Sequence, residues 1–231
     1  PVASTGRNLQ AYQRQLQGLL DNLTQSTAMA NGQGGDTANL GALGSMAGSS
    51  PGAGVPVSAA GLFGGQLQGS ATPKVAASTL GDRSLRQPPF APPFLKDGDF
   101  VIGQTAAILQ YLAPVLKLVA RSEQARAWTM QIQLTIADMV TEAHDTHHPI
   151  ASSLYYEDQK DEALRRAANF CSERMPKFLQ WFERILSQNP AGDRWLVGNR
   201  MSYADLSLFQ LVEGLRYAFP VAAGRVLSRA P

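Results

Sequence analysis

The chain has 231 residues, a formal net charge of +2 and only 16% charged residues, so mild a basic surplus that neither nucleic acid nor a membrane surface is called for as partner. Its single cysteine, Cys171, excludes an internal disulfide framework and a CxxC redox or zinc site, and suits a reducing, cytoplasmic compartment. No apolar run approaches the roughly 18 residues that cross a bilayer, and no basic segment with an apolar core opens the chain as a signal peptide would.

At the N-terminus, Leu9, Tyr12, Leu16, Leu19, Leu20 and Leu23 recur at helical spacing. They predict an amphipathic helix of about four turns, isolated within a segment spanning 1–30. So short a helix is marginal alone in water, which leaves open whether it docks on the folded part or on a partner. Residues 31–84 read as a Gly/Ala/Ser-rich linker. Within it, residues 31–70 carry 12 of the 21 glycines and one charge, Asp36. That is too little bulky apolar matter to offset ordering entropy, so disorder is expected.

From about Ser84 the texture changes. Phe94-Leu95-Lys96, then Asp97-Gly98-Asp99, then Phe100-Val101-Ile102 is apolar, turn, apolar, a hairpin signal. Gly103-Gln104-Thr105 opens a helix carrying Ala107, Ile108, Tyr111 and Leu112, with Thr105 near the N-cap and Pro114 ending it. Ser122 starts the next helix, with Ala125, Trp128, Ile132, Ile136, Met139 and Ala143 as its apolar stripe and Pro149 as its stop. A third helix is expected over 157–187, turning Leu164, Phe170, Phe178, Trp181 and Ile185 inward, with a kink at Pro176. Asn189-Pro190 and Ala191-Gly192 make a turn, Ser202 caps a fourth helix running to about Tyr217, and Pro220 closes it. The tail VAAGRVLSRAP adds about one turn. The expected fold class is mainly α: an all-helical domain over 114–231 with its own core, preceded by a β-hairpin plus helix at 85–113.

Here the sequence resembles the glutathione S-transferases, a family that joins a thioredoxin-like half to an all-helical half. Pro93-Phe94-Leu95-Lys96-Asp97-Gly98-Asp99 resembles the strand-turn-strand with the family's structural cis-proline, placing that role on Pro93. Gln104-Thr105 with Ala107-Ile108 resembles the Gln/Glu-Ser pair opening the next helix, and Ser202-Tyr203-Ala204-Asp205 resembles the N-capping box of the helical domain. The helix around Ala137-Asp138-Met139-Val140 looks closest to the sigma, alpha and pi-like branch. The resemblance covers roughly residues 88–220 and implies that 85–113 is a truncated thioredoxin-like remnant and 114–231 the C-terminal domain.

What the resemblance implies for function follows residue by residue. Thr105, with Gln104 beside it, would hold the γ-glutamyl carboxylate of glutathione, a role that a helix N-terminus with free N–H groups suits; the plainer reading is that Thr105 only caps its helix. The residue before the cis-proline would pair through its backbone with the cysteinyl amide. Here it is Pro92, which offers a carbonyl but no N–H, so one of two hydrogen bonds is lost at about 1 kcal/mol. Glutathione binding as a substrate should therefore be weak. The family's sulfur-activating tyrosine, serine or cysteine should end a strand ahead of Pro88, where this chain has the Gly/Ala/Ser linker. Tyr12, the only upstream tyrosine, is set in the polar run QAYQRQ, and the serines of 45–84 follow no strand. No catalytic residue is assigned. With its first half replaced and its tail short, the chain is expected to be monomeric or a weak dimer, where the family forms homodimers. Conjugation of glutathione to a small-molecule electrophile stands beside the alternative of a non-catalytic helical interaction module.

Other residues carry weaker signals. His144, His147 and His148 lie at i, i+3 and i, i+4 spacing, but His148 precedes Pro149, which biases it out of a helix. A polar helix terminus is favoured over a metal site or the lining of an electrophile pocket, and no metal ligand is assigned. Asp145 is either a solvated carboxylate or, by the resemblance, the carboxylate that reaches across a dimer to the partner's glutathione. Ser202 and Asp205 are a structural capping box, and Cys171 is a packing residue.

Overall fold

The computed structural model describes residues 11–18 and 81–228. The expected linker therefore lies outside the described residues except for 81–84, as do Leu9, Leu19, Leu20 and Leu23 of the N-terminal pattern. Residues 11–18 are helical (α1). They are followed by β1 (Phe94–Asp97), β2 (Phe100–Gly103), α2 (Thr105–Leu112), α3 (Glu123–His144), α4 (Lys160–Asn169), α5 (Met175–Gln188), α6 (Tyr203–Ala218) and α7 (Pro220–Ser228). Of the described residues, 81–112 form one compact unit and 11–18 with 113–228 form another. No helix among the described residues is long and apolar enough to cross a membrane.

In the smaller unit β1 and β2 pair antiparallel, with Phe94 opposite Gly103 and Asp97 opposite Phe100. This leaves Gly98-Asp99 as a two-residue loop. Gly98, with φ of 59°, occupies its first position, where a side chain would strain the backbone. Gly103 is needed for a different reason: a Cβ there would come within 3.2 Å of the Pro89 side chain. α2 holds the turn from outside, since the Tyr111 hydroxyl donates to Asp97 Oδ2 at 2.8 Å and its ring lies 5.1 Å from that of Phe100. The sheet has two strands among the described residues.

The larger unit is an all-helical bundle. Ser122 caps α3 by accepting from the Ala125 N–H, and Ile132, Ile136 and Met139 from that helix join the core against α6. α3 ends at His144, before the expected stop at Pro149. The Thr146 hydroxyl and N–H both reach the Ala143 carbonyl there, satisfying an acceptor that another helical turn would have used.

The expected third helix is interrupted twice. A 3₁₀ turn at Tyr156–Gln159 precedes α4, and a single π-helical turn, Phe170–Arg174, joins α4 to α5. The physical cause is Pro176, which has no N–H to return to the preceding turn, so hydrogen bonding slips and Met175 N–H donates five residues back to Phe170. The slip inserts one residue into the register. An uninterrupted helix would carry the inward stripe from Phe170 through 174, 178, 181 and 185. The π turn adds Met175, Leu179, Phe182 and Leu186 to the inward stripe and leaves Phe178 and Trp181 half-buried, while Phe170 and Ile185 are buried in the core as expected. Leu164, also expected inward, is 55% exposed, and Ala163 takes the inward place.

Three further expectations are corrected. Pro220 does not merely close the fourth helix; it stands first in α7, where its missing N–H costs nothing. α7 has 9 residues rather than one turn, and seats Ala223 and Leu227 in the core. α1 is not isolated either. Tyr12 and Leu16 are buried at 2% and 1% exposure within the bundle core, so of the two dockings left open by the sequence, the helix takes the one on the folded part.

Candidate functional site

The residues matched to a glutathione subsite all lie in the 81–112 unit, and the hairpin positions them. The Pro92–Pro93 peptide bond is cis and leads directly into β1. Phe94 and Gly103 pair across the hairpin, so the chain entering at Pro93 and the chain leaving toward Gln104 flank one end of the same two-stranded ribbon.

Gln104 has φ of 66°, in the left-handed region that non-glycine residues avoid at a cost of about 1–2 kcal/mol. Strain of this kind persists where the surroundings over-determine it, and it concentrates at binding sites. Gln104 is also the N-cap of α2, because its carbonyl accepts the first intrahelical bond from Ile108 N–H at 2.9 Å. Thr105 is thus one position inside the helix rather than its cap. Among the described residues no acceptor meets the N–H groups of Thr105, Ala106 and Ala107, and Gln104 and Thr105 are both exposed. Three N–H groups and a hydroxyl thus lie at the positive end of a short helix dipole, an arrangement that favours negative charge nearby.

The remaining predicted residues lie in the helical unit. Asp145 is the C-cap of α3, half-buried, with its carboxylate 3.5 Å from His144 Nδ1. The three histidines do not converge on a common point. His144 and His148 stack at 5.3 Å, while His147 Nδ1 lies 3.0 Å from Thr146 Oγ1 and its ring faces Tyr156 and Phe219. Because the Thr146 hydroxyl proton goes to the Ala143 carbonyl, its oxygen is left to accept from His147 Nδ1–H. No group of three His, Cys, Asp or Glu side chains that could hold a metal occurs among the described residues. Cys171 packs against the core, and burial pushes its thiol pKa up, away from a reactive thiolate.

Two arrangements escaped the sequence reading. Gln159, fully buried, accepts from Ile150 N–H at 2.9 Å and donates to the carbonyls of Ala151 and Leu154, pinning the loop that follows the histidines. The second is the far side of the Asp205 carboxylate, whose capping box with Ser202 the sequence did announce. Its Oδ2 accepts from the N–H and hydroxyl of Ser202, both at 2.6 Å, forming the capping box of α6. Its Oδ1 accepts from Leu196 N–H at 2.9 Å and from the Tyr12 hydroxyl at 2.7 Å. Burial pushes the Asp205 pKa up while the four donors pull it back. Burial and the neighbouring carboxylate together hold the Tyr12 phenol well above its ordinary pKa. The apolar spacing of Tyr12 and Leu16 signalled the burial, but nothing in QAYQRQ signalled a partner 193 positions away.

Residues 144–229 match the family model "Glutathione S-transferase, C-terminal domain". Glutathione S-transferase P of Bos taurus is 31% identical over 123 residues, covering 52% of this chain and 51% of that protein. Glutathione S-transferase P of Homo sapiens is 30% identical over 144 residues, covering 58% and 61%. The pi-class glutathione S-transferase of Onchocerca volvulus aligns structurally with a TM-score of 0.46 and 23% identity, over 61% of this chain and 64% of its own. Over its C-terminal part, then, the chain is similar to glutathione S-transferases and matches their C-terminal domain model. It spans about half the length of the first of these curated relatives.

Proposed function

We propose that this chain is a glutathione S-transferase-like protein that keeps a weak glutathione subsite but does not conjugate the thiol to electrophiles. The observation that carries this reading is the commitment of Tyr12. Tyr12 lies ahead of Pro93, and its hydroxyl is buried and donating to Asp205. A phenol that activates glutathione must aim its O–H at the sulfur and stabilise a thiolate; Tyr12 is turned into a protein core instead. Ser84, the described serine nearest upstream, spends its hydroxyl on Asp82 in an exposed turn.

What the chain retains is the half of the site that binds without chemistry. The Thr105 hydroxyl and the free N–H groups at the start of α2 would take the γ-glutamyl carboxylate, with Gln104 beside them, and the Pro92 carbonyl would accept from the cysteinyl amide. Pro92 has no N–H to return, which lowers affinity. Asp145 would matter only in a dimer, where it would reach the partner's glutathione; the expected state is a monomer or a weak dimer. Calorimetric titration with glutathione tests the subsite. Binding weaker than millimolar, lost in Thr105→Ala, is expected. Sub-millimolar binding, or binding indifferent to Thr105→Ala, would refute it.

A further inference from the structure

We infer that the seat of α1 on the helical bundle is an exchange site: it takes α1 of its own chain or α1 of a second copy, and so joins two copies through traded helices. The seat is defined by what it holds. Tyr12 and Leu16, four positions apart on one face of α1, are buried in the core of the bundle. The Tyr12 hydroxyl donates to Asp205 Oδ1 at 2.7 Å, a buried contact. A surface that fits this helix in one copy fits the identical helix of another, so the occupant is fixed by the sequence itself.

The bundle keeps the polar end of this seat in place without α1. Asp205 has three other donors, Leu196 N–H at 2.9 Å and the Ser202 N–H and hydroxyl at 2.6 Å, and all three belong to the bundle. They hold the carboxylate with Oδ1 ready for an incoming hydroxyl, which lowers the cost of docking. The fit of α1 is imperfect, however. Gln13 is buried, yet neither its amide nitrogen nor its oxygen meets a hydrogen-bond partner, and Gln15 Nε2 is likewise buried and unmatched. Unmet buried amides oppose docking and offset part of what the Tyr12 bond and the apolar contacts contribute, so the helix is releasable.

What favours a chain's own helix over another's is the covalent connection. Residues 19–80 lie between α1 and the hairpin-plus-helix unit. A tether of that length supplies an effective concentration on the order of 1 mM at most. Trading helices makes the same contacts and needs no new interface, so exchanged dimers should accumulate as the protein concentration approaches that figure. Each copy then completes the Asp205 site of the other with its Tyr12. The glutathione subsite takes no part in this.

The test uses the full chain and a synthetic peptide of residues 7–23 with fluorotyrosine at position 12, whose fluorine resonance reports burial. The peptide should bind full-length Tyr12→Ala, whose own α1 seats poorly, and bind wild type at least tenfold more weakly because the tethered helix competes. A peptide with phenylalanine at position 12 should displace it about tenfold less well. Sedimentation equilibrium of wild type should show a dimer that grows from micromolar toward millimolar protein, is dissociated by excess peptide and is lost in Tyr12→Ala. The inference is overturned if the peptide binds neither protein, or binds both alike. A wild type that stays monomeric at millimolar concentration, or a dimer indifferent to the peptide, would overturn it as well, the latter marking a different interface. Should Tyr12→Ala fail to fold, dissociation of the wild-type dimer by the tyrosine peptide, and more weakly by the phenylalanine one, still decides.

Discussion

Replacing Tyr12 by phenylalanine removes one oxygen from the core and leaves the ring in place. The lost hydrogen bond runs to a buried carboxylate, a class worth about 1.5–3 kcal/mol. Asp205 keeps its other three donors, Leu196 N–H and the Ser202 N–H and hydroxyl, so it is not orphaned and the low end applies, about 1.5 kcal/mol. Tyr12→Ala adds a cavity and should cost about 3–5 kcal/mol in total. Urea unfolding followed by circular dichroism measures both, and Tyr12→Phe should lower Tm by about 4–8 °C. The pH dependence has a definite sign. Because the folded phenol ionises well above its ordinary value, the unfolded chain loses that proton first. The contribution is therefore complete below about pH 10 and declines as pH rises beyond it. Tyr12→Phe should flatten this alkaline decline. A Tyr12→Phe protein as stable as wild type, with the same alkaline profile, would refute the docking of α1 through Asp205.

Glu142 receives Arg174 through two hydrogen bonds with Arg166 nearby, and this holds its carboxyl below the ordinary range. Its contribution is present above about pH 4.5 and is lost as pH falls through the lowered folded value. Glu142→Gln should cost about 1 kcal/mol at neutral pH and soften acid unfolding; an unchanged acid limb in chemical denaturation would count against it. Gln104→Gly relieves a left-handed side chain and should stabilise the hairpin-plus-helix unit by about 1 kcal/mol, slowing hydrogen exchange at the Ile108 amide that bonds to Gln104. Faster exchange there would mean that the glutamine side chain itself holds the helix start.

Local features were legible in the sequence wherever the chemistry is local. Asp97-Gly98-Asp99 announced the hairpin because only glycine adopts its loop conformation freely, and Ser122 and Ser202 announced helix starts because their side chains satisfy nearby groups. Pro176 announced a disturbance but not its form. A kink would have kept the stripe on Phe178 and Trp181, whereas the π turn advanced it by one residue and left these two expected core aromatics half-buried. Pairings between distant residues were not legible. Tyr12 lies 193 positions from Asp205, and periodicity shows which face of a helix is apolar, not what that face meets. The candidate subsite was placed by resemblance to Gln104, Thr105 and Pro92; the left-handed backbone at Gln104 had no signature in the sequence, since glutamine is not a residue that favours it.

The central claim is that the chain binds glutathione without activating its sulfur. Steady-state conjugation of glutathione to chlorodinitrobenzene, run on wild type beside Tyr12→Phe and Thr105→Ala, tests it most directly. The account predicts rates at the uncatalysed background for all three proteins. Turnover by wild type that Thr105→Ala abolishes would contradict it, and turnover that Tyr12→Phe abolishes would show that the buried phenol is a sulfur-activating group after all.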